Sequence, residues 1–245
     1  MPQTIFAFDS DIPPLVIPNP DAEVLPGVRW GECGSPFTPA YWRALLHQRC
    51  NETATYRIGE TLQEEVAACV LGGHSLRSET GLAAFGALKN AGLLRPGIDE
   101  EQYFARLSLP LTVAGRPVRY RFARTKSRYL SAVASAFRDE VPPTEALTLR
   151  DWLLKIKGVG PKTAAWVVHN YHGCDEIAIL DVHLVRAAQI CGVFPPIVKL
   201  PAQYGLLERR FVEFSRALGV PASLLDACMW AQMKRNGSAQ LSNLL

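Results

Sequence analysis

Two side chains carry the chemistry open to this sequence, Lys162 and Asp181, 19 positions apart. Lys162 falls in the first turn of a helix opened by Pro161, where a missing N–H costs nothing. There the helix dipole disfavours a positive charge and favours the neutral amine, a nucleophile able to form a Schiff base. A phosphate contact is the commoner use of a lysine near such a turn. Asp181 sits just before an amphipathic run (Val182, Val185, Ala188) at an N-cap position, where its carboxylate accepts from free backbone N–H groups. Trp166, one turn beyond Lys162, shares its face. Its indole serves either as a flat apolar wall or as packing between helices.

These residues need elements to hold them. Residues 149–157 run apolar at helical spacing (Trp152, Leu153, Ile156), with Thr148 placed to cap them. Gly158-Val159-Gly160 forces a tight turn before Pro161, and its free N–H groups make a site for a phosphate oxygen. Upstream, the proline-rich residues 1–36 read as extended or looping chain laid over a domain. Helices are predicted over 40–49 behind Thr38-Pro39, from Thr61 with Glu64 completing a capping box, and over 79–90 stopping at Gly92. Residues 93–120 are less regular, with a short hairpin over 111–120 turning at Gly115-Arg116. A helix over 122–138 follows, with Tyr129, Leu130, Val133 and Phe137 on one face. The last helices are predicted from Asp181, over 203–218 and over 222–234. The class is mostly α.

With 245 residues, 48% hydrophobic and 20% charged, the composition is that of a globular protein with a substantial core. A net charge of +3 allows a nucleic acid partner without demanding one. No window is long and apolar enough for a membrane span, and Met1–Pro14 lacks the basic and apolar run of a signal peptide. The six cysteines form no CxxC pair, so reduced thiols in an intracellular protein are expected.

Gly158-Val159-Gly160-Pro161-Lys162-Thr163-Ala164 and Leu180-Asp181-Val182-His183 resemble the hairpin and aspartate segments of the helix-hairpin-helix DNA glycosylase superfamily. That group includes endonuclease III and the 8-oxoguanine DNA glycosylases, and the Lys162–Asp181 separation is similar to that of the 8-oxoguanine branch. The resemblance covers residues of about 60–236. It implies two helical subdomains flanking a cleft, one of them discontinuous, with the helix-hairpin-helix DNA-binding motif at the mouth and residues of about 140–200 forming the hairpin-bearing half. As domains, this gives a Pro-rich segment with the first helix over 1–59 and a glycosylase domain over 60–245, its hairpin at 149–170.

The resemblance further implies a bifunctional DNA N-glycosylase/AP lyase acting in base excision repair. Lys162 would attack C1′ of a flipped nucleotide, most directly 8-oxoguanine, and Asp181 would assist. Trp166 would wall the extruded base. Residues 224–232 resemble the C-terminal recognition helix of the branch, so Asp226, Trp230 and Gln232 are expected at the base, Gln232 through its amide. His74, after a helix end, is a further pocket expectation. Gly158, Val159, Gly160 and His183 are expected at DNA phosphates, as are Arg124, Lys126 and Arg128 in the basic concentration over 116–128, whose segment RFARTKSRYL resembles the helix before the hairpin in the archaeal-type branch, making binding salt-dependent. Only Cys191 and Cys228 follow Asp181, so no iron–sulfur cluster is expected. No other cofactor is required, and a monovalent cation at the hairpin carbonyls is left open by the family analogy. The expected partner is double-stranded DNA carrying a damaged base or abasic site. The expected setting is a monomer inside the cell, with the DNA and away from membranes.

Two departures bear on the substrate. The smaller bacterial and archaeal 8-oxoguanine branch uses a chain-terminal lysine at the base, where this chain ends Ser242-Asn243-Leu244-Leu245. The eukaryotic-type branch has a stacking aromatic four positions after its glutamine, where this chain has Asn236. A glycosylase for another modified purine, and a non-catalytic helix-hairpin-helix DNA binder, therefore stand as alternatives.

Overall fold

The computed structural model describes residues 1–6, 13–48, 57–73 and 76–241. Its described residues are mostly helical and divide into two compact units. One is continuous, Thr55–Gly173; the other joins Met1–Ala54 to Cys174–Leu245. There are two units and one is discontinuous, as the resemblance implies. The leading segment belongs with the C-terminal helices, and the boundary runs between the hairpin and Asp181.

The continuous unit is built on α2 (Leu62–Leu71), which is apolar on nearly every side and packs against α3 (Ser78–Asn90), α5 (Ala123–Asp139) and α7 (Pro161–His172). Val66, Val70 and Leu71 are buried along it. Thr61 caps α2 by accepting from the Glu64 N–H at 3.2 Å. The Glu64 carboxylate does not close the expected box; it accepts from the Glu60 N–H at 2.7 Å, one residue further out.

A helix unforeseen from the sequence, α4 (Glu100–Leu107), carries an Asp99–Gln102 capping box and packs on α5. Only Tyr103 and Leu107 of it are buried, too few to show a period. The hairpin β5 (Leu111–Val113) and β6 (Arg116–Val118) turns at Ala114-Gly115, whose φ values are +47° and +75°. Two consecutive left-handed residues match the twist of a two-residue hairpin turn, so the turn lies one position before the expected one.

The first hairpin helix, α6 (Ala146–Leu153), starts earlier than expected and is not capped by Thr148. Glu145 caps it, accepting from the N–H of Leu147 at 3.0 Å, the N–H of Thr148 at 2.7 Å and the Thr148 hydroxyl at 2.6 Å. Trp152 fixes α6 to the end of α5 through its indole N–H on Glu140 at 2.5 Å and an edge contact with Phe137.

In the other unit, the proline-rich segment forms two antiparallel pairs, β1 (Gln3–Ile5) with β2 (Leu15–Ile17) and β3 (Glu23–Leu25) with β4 (Val28–Arg29). Gln3 ties them to the following loop, donating to Gly31 O at 2.9 Å and accepting from Cys33 N at 2.7 Å. Then comes α1 (Pro39–Gln48), with Thr38 capping it and Trp42 fully buried. The long α10 (Ala222–Leu241) packs against α1, α8 (Val182–Ile190) and α9 (Tyr204–Leu218).

The Glu145 cap gives a pH signature. Hydrogen bonds from Thr148 and Leu147 hold its carboxyl down at about 2, against an ordinary 4.5. A carboxyl depressed in the fold contributes stability that is present above the ordinary value and is lost as pH falls toward the folded one. Urea midpoints of wild type and Glu145→Gln should therefore differ by a constant amount above about pH 5 and converge as pH falls to about 2.

Candidate active site

Lys162 lies in the first turn of α7, and its position is set by the hairpin before it. Ile156 and Val159 are buried, and the Val159 N–H closes the turn on Ile156 O at 3.0 Å. Gly158 has φ +93°, and a Cβ there would lie 2.1 Å from Cγ of Tyr129 on α5. Glycine is thus demanded twice, by the left-handed backbone and by the ring against it. No side chain caps the N-terminus of α7, where Gly160 is the N-cap and Pro161 follows. The uncapped first turn leaves its N–H groups available to a phosphate.

The Lys162 Nζ lies 5.4 Å from the Trp166 ring centroid, so the two share a face as their spacing requires. The far edge of the indole rests on the end of α2, where a Cβ on Gly72 would come within 3.1 Å of it. Further along α7, Asn170 joins a buried polar group that local sequence patterns do not reveal. The Glu65 carboxylate on α2 is fully buried. It accepts from the N–H groups of Ile58 and Gly59, both at 2.7 Å, and from the Asn170 amide on α7 at 2.8 Å. Burial and Glu65 together push the Cys69 thiol up, against the pull of Lys162.

Lys126 does not lie open to a phosphate as expected. Its amine turns inward, donating to Val70 O at 2.5 Å and Gly72 O at 3.0 Å at the C-terminus of α2. Burial, then the charge of Lys162, bring its pKa down to about 8. Arg124 and Arg128 are exposed, but Arg124 pairs with Glu101 at 2.6 Å and Arg128 with Glu100 at 3.3 Å. Both carboxylates lie on the unforeseen α4.

Asp181 belongs to the other unit, where it is the N-cap of α8. Its Oδ1 accepts from the N–H groups of His183 at 2.8 Å and Leu184 at 2.9 Å. His183 meets the half-exposed Trp230 edge-on, with ring centroids 6.3 Å apart, and the Lys234 Nζ lies 4.7 Å from the Trp230 centroid. Gln232 is half-buried. Asp226 is buried and turns its Oδ2 onto the Ile179 N–H at 2.7 Å, two residues before Asp181. His74 lies outside the described residues.

Among the described residues no three His, Cys, Asp or Glu side chains gather as metal ligands, and no helix is long and apolar enough to cross a membrane.

A family model described as 8-oxoguanine DNA glycosylase matches residues 47–220. An 8-oxoguanine DNA glycosylase/AP lyase of Metallosphaera sedula is 29% identical over 191 residues, covering 76% of this chain and 84% of the relative. The fold is similar to the crystal structure of Methanocaldococcus jannaschii 8-oxoguanine DNA glycosylase, with a TM-score of 0.59, 18% identity, and 79% of this chain and 92% of that one covered. The same archaeal enzyme solved in complex with a 15mer DNA containing 8-oxoguanine gives 0.54 at 19% identity, covering 71% of this chain and 81% of that one.

The hairpin geometry carries a stability prediction. Gly158→Ala should lower the unfolding free energy by about 3 kcal/mol, combining left-handed strain with overpacking. In a Tyr129→Ala background the same change should cost about 1 kcal/mol, the backbone part alone. Denaturant unfolding of the four proteins of this cycle measures both values.

Proposed function

The chain belongs to the 8-oxoguanine DNA glycosylase family, and from that premise we propose that it flips 8-oxoguanine out of double-stranded DNA, excises it through Lys162 and then cuts the strand as an AP lyase. The observation that carries this reading is the Lys162 amine, held on the Trp166 face in the uncapped first turn of α7. A lysine needed only to anchor a phosphate would not need a flat aromatic wall beside it. In its own unit no hydrogen bond ties it to the buried Glu65 carboxylate, whose acceptors are taken by Ile58, Gly59 and Asn170.

In this reading the Nζ lone pair attacks C1′ of the extruded deoxyribose. The C1′–N9 bond breaks, and its electron pair leaves with the base, which takes up a proton. Opening of the sugar ring gives the Schiff base. A proton then leaves C2′, the C3′–O bond breaks, and the phosphate departs from the 3′ side. Asp181 stabilises the positive charge that builds at C1′. Its two capping bonds both go to Oδ1, which leaves Oδ2 for this work. The N–H groups of the hairpin and of the first turn of α7 hold a backbone phosphate, and binding weakens as salt rises.

Wild type, Lys162→Gln and Asp181→Asn should be incubated with duplexes carrying 8-oxoguanine, an abasic site or guanine, with borohydride added to half. Wild type should give a trapped adduct on 8-oxoguanine and abasic DNA. Lys162→Gln should give none, with single-turnover excision down at least about a thousandfold, and Asp181→Asn should lose about a hundredfold or more. An adduct that persists in Lys162→Gln sinks the lysine mechanism. An adduct on abasic DNA alone keeps the chemistry and removes 8-oxoguanine as the substrate.

A further inference from the structure

Asp181 stands at the end of a short non-helical segment, residues 177–181, and the way that segment is held is unusual. Its backbone is gripped by side chains from two other helices of the same unit. The Ala178 N–H donates to Glu208 Oε1 at 3.3 Å, the Ile179 N–H to Asp226 Oδ2 at 2.7 Å, and the Leu180 N–H to the Tyr204 hydroxyl at 3.2 Å. The same hydroxyl donates to Ala178 O at 2.8 Å. Tyr204, Glu208 and Asp226 are all buried, with relative exposures of 5%, 6% and 4%. Three successive N–H groups thus end on three different side chains, two of them carboxylates.

Burying two carboxylates is costly, and apolar residues would serve a core better if stability alone were at issue. What the carboxylates supply is direction. Each carboxyl oxygen fixes the direction of the backbone N–H that donates to it. Beyond Leu180 the chain turns at once through a 2.6 Å bond from the Asp181 N–H to Ile179 O and enters α8. The grip on Ile179 is therefore transmitted to Asp181 through a single tight turn, with no free rotation of chain between them.

We propose that Asp226, with Tyr204 and Glu208, forms a three-point clamp of positioning residues that sets the Asp181 carboxylate for base excision. Asp226 acts through Asp181 and makes no contact with the base. This rests on the proposed function above, in which Asp181 assists attack at C1′. It also reassigns Asp226, which the recognition-helix resemblance places at the base: the side chain is buried and its Oδ2 is turned onto the Ile179 N–H.

The test is a double-mutant cycle read by single-turnover excision of 8-oxoguanine with enzyme in excess. Asp226→Ala removes the acceptor and should slow excision by about 100-fold, the effect of misplacing a catalytic group by about an ångström. Asp226→Asn keeps an oxygen for the Ile179 N–H and should recover to within about threefold of wild type. Affinity for a duplex with an uncleavable abasic analogue should change by less than about twofold in both. In an Asp181→Asn background, Asp226→Ala should cause no further loss, because the group it positions is already disabled. Tyr204→Phe, which removes only a hydroxyl, should show the same dependence on Asp181 and carries the test if Asp226→Ala does not fold.

Equal losses in both backgrounds would overturn the clamp and put Asp226 at the base. A folded Asp226→Ala with the wild-type rate would overturn it outright. These outcomes differ from failure of the proposed function, which would appear as wild type that excises no 8-oxoguanine.

Discussion

The carbonyls at the C-terminal end of α2 lie at a buried or half-buried helix end, and much of the continuous unit follows from how they are satisfied. Each unpaired buried carbonyl costs free energy comparable to a lost hydrogen bond. Leu71 O takes the Tyr120 hydroxyl at 2.6 Å, while Val70 O and Gly72 O take the Lys126 amine. Both donors come from α5 or the residues leading into it. Meeting the needs of α2 therefore fixes α5 against it. One turn along α5, Tyr129 then packs on Gly158 of the hairpin, which orients the start of α7 and with it Lys162. The nucleophile is placed by a chain of contacts that begins with the carbonyls at the end of α2 and runs through α5 to the hairpin.

The two candidate reactive groups use helix N-termini in opposite ways. At α7 no side chain caps the helix, Pro161 removes one N–H, and the remaining orphan donors stay available to an anion. At α8 Asp181 is itself the cap, so the geometry of its carboxylate is fixed by the helix it opens. A capping carboxylate cannot swing freely, because moving it unmakes two hydrogen bonds. The lysine is thus paired with an open anion site and the aspartate with a closed one, which suits a cationic reaction centre on a polyanionic substrate.

The places of Lys162, Trp166 and Asp181 in their helices are legible because the signals are local: a proline after a glycine turn, a residue one helical turn on, an aspartate before an amphipathic run. The side chains that support them were not. Glu65 and Asn170 are 105 positions apart, and Asp226 is 47 from the Ile179 it holds, so no window contains both partners. Arg124 and Arg128 read as phosphate contacts while α4 went unseen. Once Glu100 and Glu101 are placed beside them, much of their charge is locally answered. Thr148 read as a cap because its type fits, but Glu145, three residues earlier, reaches the same N–H groups and bonds the threonine hydroxyl as well. The N-terminal strands escaped notice because prolines mask short two-stranded pairs, although that same segment joins the unit carrying Asp181.

Lys126 shows how one residue can satisfy the fold and still bear on the chemistry. Its amine is needed at Val70 and Gly72, yet burial and the neighbouring Lys162 charge both disfavour its proton, and the result is a pKa near 8. A neutral amine still donates to both carbonyls, so the α2 cap survives loss of the charge. The fold therefore tolerates a second amine close to the reactive one without requiring both to be charged. An arginine at this position would keep its charge at any working pH, within reach of the Lys162 charge that already disfavours a proton there. The lysine here is a part-buried donor for the end of α2, and burial and the neighbouring Lys162 charge both bring its pKa down.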